Sequence, residues 1–232
     1  NATFYRTLPV TEGTLCTYNG ENCYTSSGCF ATTTGNVCSG GSDTTVEYDC
    51  GFWIWYTADP TDSSAPVYSS NIWSVSATTT DGTDTSSATN TAELIEVVTQ
   101  NALDVTSTIS YPATGAGGNT GATNQTVVVT NTGNTALDVD VGGDNMCTDY
   151  PTCSGDSFDY SEQKFGLTDV TYTSLTNVLA STASPASVEF DLVKPSATTS
   201  PITDSSYWGI AIPTGQTAGS YTGLNTFTAT AD

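Results

Sequence analysis

The side chains that could do chemistry in this sequence are almost all carboxylates and thiols. The chain holds 24 Asp and Glu and 7 Cys, but only 3 Lys and Arg and no His. The absence of His excludes the usual Ser–His–Asp and Cys–His arrangements, and a reactive thiolate would have few cations beside it. Paired carboxylates can hydrolyse glycosidic bonds, but with so many Asp on turns two will lie close together by chance. The sequence therefore predicts no catalytic residues and no enzyme activity.

Calcium is the metal that these carboxylates would suit, because it prefers hard oxygen ligands from loops. Three groups of loop residues carry such ligands: Asp59 with Asp62, Asp81 with Asp84, and Asp144 with Asn145 and Asp149. None of them follows the twelve-residue EF-hand pattern. The interpretation we favour is solvated turn carboxylates, with no metal site and no cofactor, and calcium binding is the alternative.

The cysteines indicate an oxidising compartment, since the sequence offers no paired Cys-x-x-Cys and no His for zinc. All seven are predicted disulfide residues: Cys16, Cys23, Cys29, Cys38, Cys50, Cys147 and Cys153. Cys147 and Cys153 lie in one Gly/Asp/Pro-rich loop and are expected to pair locally. Five cysteines crowd the N-terminal region, so one thiol is left over. It is either a buried free cysteine or the source of an intersubunit disulfide.

The net charge of −21 excludes two classes of partner. So acidic a surface repels nucleic acid and anionic membranes, because too few cations are available to neutralise phosphates. No apolar run is long enough to span a bilayer. Sequons at Asn1 and Asn124 predict N-glycosylation. The start at Asn1 rather than Met suggests a mature secreted protein at the cell surface.

The hydrophobic pattern predicts short strands throughout and no helix of useful length. The stretch Gln125–Gly142 shows it best: Leu137, Val139 and Val141 alternate with aspartates, and a Gly/Asn turn separates them from an earlier β-branched run. We interpret it as an antiparallel hairpin with one buried face. The predicted fold is all-β, an antiparallel Ig-like or jelly-roll β-sandwich supported by disulfides, as one large domain or two packed β-domains.

Three segments are predicted along the chain: an N-terminal strand over 1–10, a Cys-rich β-domain over 11–90 and an Ig-like sandwich over 91–232. In the first segment apolar residues alternate with polar ones, and no local hairpin partner is apparent. Its candidate donor residues are Ala2, Phe4, Arg6, Leu8 and Val10. The strand is either the ordinary first strand of its own sandwich or a donor strand that completes the sheet of a neighbour.

Tryptophans mark a second candidate surface. A long strand is predicted over residues 46–56, with Trp53 and Trp55 on its outer face. Large exposed aromatics commonly mark interfaces. They are covered in an assembled state or, together with Trp73, bind a glycan or another partner.

Four sequence segments carry a family resemblance. They are 55–62 (WYTADPTD), 101–105 (NALDV), 131–134 (NTGN), and 207–213 (YWGIAIP) followed by 218–223 (AGSYTG). In this order they resemble uncharacterised secreted surface proteins with Ig-like β-sandwich domains from candidate-phylum bacteria and archaea. The resemblance covers roughly residues 45–232 and implies the fold but no established activity. In organisation the chain is also similar to donor-strand pilins, such as archaeal bundling pili and TasA-type matrix fibres.

These observations predict a structural subunit of an extracellular filament or pilus. Its partners would be identical subunits, joined by donor-strand complementation through residues 2–10, with glycans as further ligands or modifications. A cell-surface adhesin or glycan-binding β-sandwich module is the alternative. An acidic hydrolase is the least favoured class.

Overall fold

A computed structural model describes residues 2–7, 17–31, 47–80 and 83–232. Within these ranges the chain forms β-strands and two short 3-10 helices, Tyr160–Glu162 and Tyr172–Ser174, with no α-helix. The predicted all-β sandwich class is therefore confirmed. No helix in this part of the chain is both long enough and apolar enough to cross a membrane.

The chain divides into two compact units. Unit 1 comprises Asn1–Gln100 with Ser196–Ser200, and unit 2 comprises Asn101–Pro195 with Pro201–Asp232. The division falls after Gln100 rather than near residue 90, because a long strand (Thr85–Ile95) pairs along its neighbour Ile72–Thr80 in unit 1.

Unit 1 contains six described strands. These are β1 (Ala2–Thr7), β2 (Cys23–Thr25), β3 (Gly28–Ala31), β4 (Tyr48–Gly51), β5 (Ile72–Thr80) and β6 (Thr85–Ile95). Four of them form a sheet in the order β2-β1-β5-β6, and β3 pairs with β4 alone. The buried core of this unit is aromatic: Phe4, Tyr24 and Trp73 meet Ala58, and Phe52, Val75 and Val97 pack around them.

Unit 2 contains the remaining described strands. They are β7 (Leu103–Val105), β8 (Gln125–Asn131), β9 (Leu137–Gly143), β10 (Met146–Cys147), β11 (Ser157–Phe158), β12 (Gln163–Gly166), β13 (Asn177–Val178), β14 (Ala180–Ser181), β15 (Ala186–Leu192), β16 (Ile202–Ile210) and β17 (Asn225–Ala231). One sheet runs β13-β12-β16-β8-β7. In the second, β9 pairs with β15, β17 and the short β14. The strands β10 and β11 form a separate pair.

The stretch Gln125–Gly142 forms two strands, as predicted, but the predicted hairpin is wrong. β8 pairs with β7 and β16, whereas β9 pairs with β15 and β17 in the other sheet. The chain therefore crosses from one layer to the other between them. The apolar rows of the two strands meet across the sandwich: Val127 and Val129 of β8 join Leu137, Val139 and Val141 of β9 in one buried core.

A buried asparagine holds this crossing in place. Asn131 is fully buried, and its Nδ2 donates to the carbonyls of Thr135 and Leu192 at 2.8 and 3.1 Å. Its Oδ1 accepts from the N–H of Gly133 at 2.9 Å. None of the described residues with positive φ lies in this turn. The Asn and Gly that suggested a hairpin turn therefore serve as a side-chain cap of a connection between layers.

Candidate functional site

β1, the candidate donor strand, is an interior strand of unit 1. It pairs antiparallel with β2 on one side, with Phe4 opposite Tyr24, and with β5 on the other, from Ala2 opposite Ala77 to Thr7 opposite Ile72. The strand therefore has neighbours along both edges in the single chain. Of the predicted donor residues, Leu8 and Val10 lie outside the described residues.

Phe4 of this strand packs into the aromatic core of unit 1. Its ring stacks on Trp73 with 4.8 Å between centroids, and it meets Phe52 at 5.7 Å. Trp73 is fully buried, and its Nε1 donates to the Asp59 carbonyl at 3.0 Å. Tyr24 closes the cluster and donates its hydroxyl to the Gly20 carbonyl, while burial raises its pKa to about 12. Phe4 is thus embedded in the aromatic core rather than resting on its surface.

Arg6 places a charge within the same site. Its Nε donates to Asp59 Oδ2 at 2.8 Å, and the two side chains are 14% and 6% exposed. The guanidinium also lies over the ring of Tyr68, with its carbon 3.6 Å from the centroid. A nearly buried carboxylate requires such a partner, because desolvation of an isolated charge costs several kcal/mol. The pair therefore ties the position of β1 to the loop after β4.

The opposite face of β1 is also buried. Thr3 and Tyr5 are 4% and 5% exposed, and Ser74 and Ser76 of β5 lie beside them at 2% each. The hydroxyls of Tyr5 and Ser74 are buried without a hydrogen-bond partner among the described residues. β1 is therefore covered on both faces as well as paired along both edges.

Each of the two units contains a disulfide of its own. Cys29 bonds to Cys50 across the β3–β4 pair, and Cys147 bonds to Cys153 within the predicted loop. Cys23 is also disulfide-bonded, and Cys16 and Cys38 lie outside the described residues. β1 itself contains no cysteine. Its six residues are therefore held in place by non-covalent contacts.

The predicted glycosylation sites remain predictions. Asn1 lies outside the described residues. The Nδ2 of Asn124 donates to Asp169 Oδ1 at 2.7 Å and to the Val170 carbonyl, and its Oδ1 is buried without a hydrogen-bond partner. A glycan on Nδ2 would require this amide to give up at least one of these two bonds.

Three of the candidate calcium ligands accept hydrogen bonds from protein donors. Asp62 Oδ1 accepts from the Thr99 N–H, and Asp144 Oδ1 accepts from the Thr182 hydroxyl. Asp149 accepts from Ser154 and Gly155, and these hydrogen bonds lower its pKa. Within the described ranges, no group of three or more acidic, Cys or His side chains could hold a metal ion. Asp81 lies outside those ranges.

The tryptophans are split between core and surface. The strand in this region is shorter than the one predicted over residues 46–56. It ends at Gly51, and residues 52–55 are irregular. Trp53 and Trp55 are 77% and 45% exposed, and the Trp55 Nε1 donates to the hydroxyl of the exposed Tyr18. Trp73 is fully buried and offers nothing to a ligand. The exposed Trp53, and the exposed Trp55 with its partner Tyr18, are therefore what remains of the predicted binding face.

Unit 2 holds a hollow of about 430 Å³ between residues 105–111 and 221–227. At its base Tyr111 donates its hydroxyl to Gln163 Oε1 at 3.0 Å, and burial raises the pKa of Tyr111. Gln163 and Asn225 exchange two further amide hydrogen bonds of 2.9 and 3.3 Å. The lining residues include no carboxylate, thiol or amine, so this hollow offers no strong general acid or base.

Sequence reasoning missed the two partners that fix β1. The sequence predicts Asp59 as a turn carboxylate or calcium ligand and Trp73 as a strand residue that could bind a glycan. In the structure Asp59 pairs with Arg6, and Trp73 stacks on Phe4. Arg6 and Asp59 are 53 residues apart, and a separation of that length leaves no local signal. The rarity of basic residues is the one cue available, because a lone Arg among many carboxylates tends to be paired.

Comparisons with protein-family models, with curated proteins and with solved structures find no match for the chain. The resemblance to Ig-like surface proteins and to donor-strand pilins therefore stays a prediction.

Proposed function

We propose that the chain is a structural subunit of an extracellular homopolymer built by donor-strand exchange. In this proposal β1 of one copy leaves its own unit 1 and fills the place between β2 and β5 of the next copy. The observation that carries the proposal is that β1 is bonded along both edges and buried on both faces, yet contains no covalent crosslink.

Exchange into the same place conserves the contacts of the single chain. A neighbour's Phe4 would stack on Trp73, and a neighbour's Arg6 would pair with Asp59, as they do within one copy. The free-energy difference between closed and exchanged states is therefore small apart from association entropy. The intramolecular strand competes at an effective concentration on the order of millimolar, so assembly should depend steeply on local protein concentration.

Charge adds a second condition. Each copy carries a net charge of −21, and packing copies together raises their mutual repulsion. Salt screens charges over about 8–10 Å at physiological ionic strength. Assembly should therefore weaken when the ionic strength falls, and added salt should restore it.

Complementation with a peptide tests the donor role. In a chain lacking residues 1–10, unit 1 should lose its order, because β2 and β5 lose the strand between them. A synthetic peptide of residues 1–10 added in trans should restore unit 1 without allowing polymers. A peptide with Phe4→Ala is the matched control and should restore little. A truncated chain that polymerises, or one that the peptide does not rescue, contradicts the proposal.

Electron microscopy provides the direct morphological test. Negative-stained native material should show filaments, and the truncated chain should show none. Native material that contains only dispersed monomers at high protein concentration and physiological salt would rule out a filament subunit.

A glycan-binding module is the second candidate, and the exposure of Trp53 and Trp55 supports it. Exposed aromatic rings give sugar rings an apolar face to pack on. A glycan array probed with the monomer separates the two functions. Binding that Trp53→Ala abolishes would favour the module, whereas a filament subunit needs no glycan ligand and is compatible with a silent array.

A further inference from the structure

β17 forms an open edge of its sheet. Among the described strands it pairs with β9 alone. The Asp144 N–H donates to the Leu224 carbonyl, and the Asp232 N–H donates to the Ala136 carbonyl. Even-numbered residues therefore turn their backbone groups towards β9. Alternate residues of an antiparallel strand point the other way, so the odd-numbered residues face away from the sheet. These odd-numbered residues are Asn225, Phe227, Ala229 and Ala231. Their backbone N–H and C=O groups have no partner among the described residues.

The opposite edge of the same sheet carries features that block pairing. β15 presents the exposed acids Glu189 and Asp191, and its register with β9 shifts between Val188 and Leu192. Asp191 also has a positive φ of 48°. Charges and bulges of this kind keep an edge strand from pairing with another molecule.

β17 has none of these features. Its seven residues read NTFTATA, without a charge or a proline, and it follows β9 without a register shift. In a chain with a net charge of −21, β17 itself carries no charge, and the carboxylates of Asp138 and Asp140 lie on the neighbouring strand β9, opposite Thr230 and Thr228.

The sequence of β17 is complementary to itself. An antiparallel two-fold pairing centred on Thr228 brings the odd-numbered residues of the two copies together as hydrogen-bonded pairs, for about eight new backbone bonds. Phe227 then faces Ala229 of the second copy, so a large side chain meets a small one. On the other face Thr228 meets itself and Thr226 meets Thr230, and such Thr–Thr pairs are favourable. The flanking Asp232 falls opposite Leu224, not opposite another acid.

We propose that β17 is a docking edge for β17 of a second copy, paired antiparallel about a two-fold axis at Thr228. The pairing continues the sheet from one copy into the next and closes at a dimer, because the same surface is used on both sides. It involves neither β1 nor unit 1. It is therefore independent of the donor-strand proposal and gives a lateral contact between copies.

Charge substitutions at Thr228 test the pairing in sedimentation equilibrium of the full chain. Thr228 is exposed, so the variants should fold. Thr228→Asp and Thr228→Lys should each weaken dimerisation at least about tenfold, because like charges meet at the axis. An equimolar mixture of the two variants should dimerise again. Ser187→Asp, on the exposed β15 edge, is the matched control and should leave the dimer unchanged.

A cysteine at the axis gives an independent readout. Thr228 occupies a non-hydrogen-bonded pair with itself, where Cα atoms lie about 4.5 Å apart and a disulfide fits. Oxidised Thr228→Cys should run as a covalent dimer and no larger, whereas polymers formed through β1 extend to many copies. The proposal is overturned if the wild-type chain stays monomeric up to about millimolar concentration, or if Thr228→Asp dimerises as tightly as the wild type.

Discussion

The guanidinium of Arg6 and the carboxylate of Asp59 form a nearly buried ion pair, with Nε and Oδ2 2.8 Å apart. The contact joins β1 to the loop that follows β4, and Trp73 donates a hydrogen bond to the backbone of the same aspartate. Any exchange of β1 between copies must break this pair and re-form it across the subunit boundary.

Asp59→Ala should destabilise unit 1 by about 3–5 kcal/mol, since it leaves the Arg6 guanidinium buried without its carboxylate. Denaturant unfolding followed by tryptophan fluorescence measures the loss. Replacing both partners together, as Arg6→Met with Asp59→Leu, should recover a large part of it, because no unpaired charge then remains. A loss below about 1 kcal/mol for the single variant would show that the pair is not sealed from water.

Phe4→Ala should cost about 3–4 kcal/mol of unit 1 stability, because the cavity it leaves faces Trp73 and Phe52. Calorimetry should show a lower melting temperature for unit 1 and an unchanged transition for unit 2. Phe30→Ala is the matched control. Phe30 is 74% exposed, so its loss should change stability by no more than about 0.5 kcal/mol. Equal effects of the two variants would contradict the burial of β1.

Asp138→Asn should raise the melting temperature at pH 7 by roughly 1–2 °C. Desolvation, with the nearby carboxylates of Asp232, Asp191 and Asp140, raises the pKa of Asp138. The folded state therefore holds this proton more tightly than the unfolded state, whose pKa is about 3.9. The stabilisation that comes from the proton on Asp138 is complete below the unfolded-state pKa. It is lost as the pH rises through the folded-state pKa.

The gain from Asp138→Asn should accordingly disappear near pH 3, where the carboxyl is protonated in both states. Thermal melts at several pH values check the trend. Asp104→Asn, on an exposed position of β7, controls for the simple loss of one negative charge. A gain that persists at pH 3 would mean that the carboxylate repulsion is not its cause.

The strands themselves were readable from the sequence, whereas their partners were not. Alternation in Leu137–Val141 identifies a half-buried strand, because side-chain direction has a period of two residues. Nothing local distinguishes a hairpin from a crossing between layers, since both need a short polar connection and two apolar rows. The crossing is held by Asn131, whose amide donates to the carbonyls of Leu192, the last residue of β15, and Val193, about 60 residues away.

Only one part of the candidate site, the strand β1, could be predicted from the sequence. The alternation of Ala2 and Phe4 marked β1 as a strand that needs a buried partner, and the structure supplies one in its own unit. The residues that pack against β1 or pair with it could not be identified from the sequence. They are Trp73, Tyr24 and Asp59. They come from three separate segments, and their meeting depends on the order β2-β1-β5, which no periodicity encodes.

A disulfide ladder tests donor-strand exchange most directly. Ala2 and Ala77 face each other across β1 and β5. Since Ala2 and Arg6 turn their backbone groups towards β2, this is a non-hydrogen-bonded pair, where Cα atoms lie about 4.5 Å apart, within disulfide reach. Assembled Ala2→Cys/Ala77→Cys protein, oxidised and run on a non-reducing denaturing gel, should give a ladder of covalent dimers, trimers and longer chains. The single variants should give none. A band at monomer size alone, from material that assembles normally, would show that β1 stays in its own subunit and would contradict donor-strand exchange.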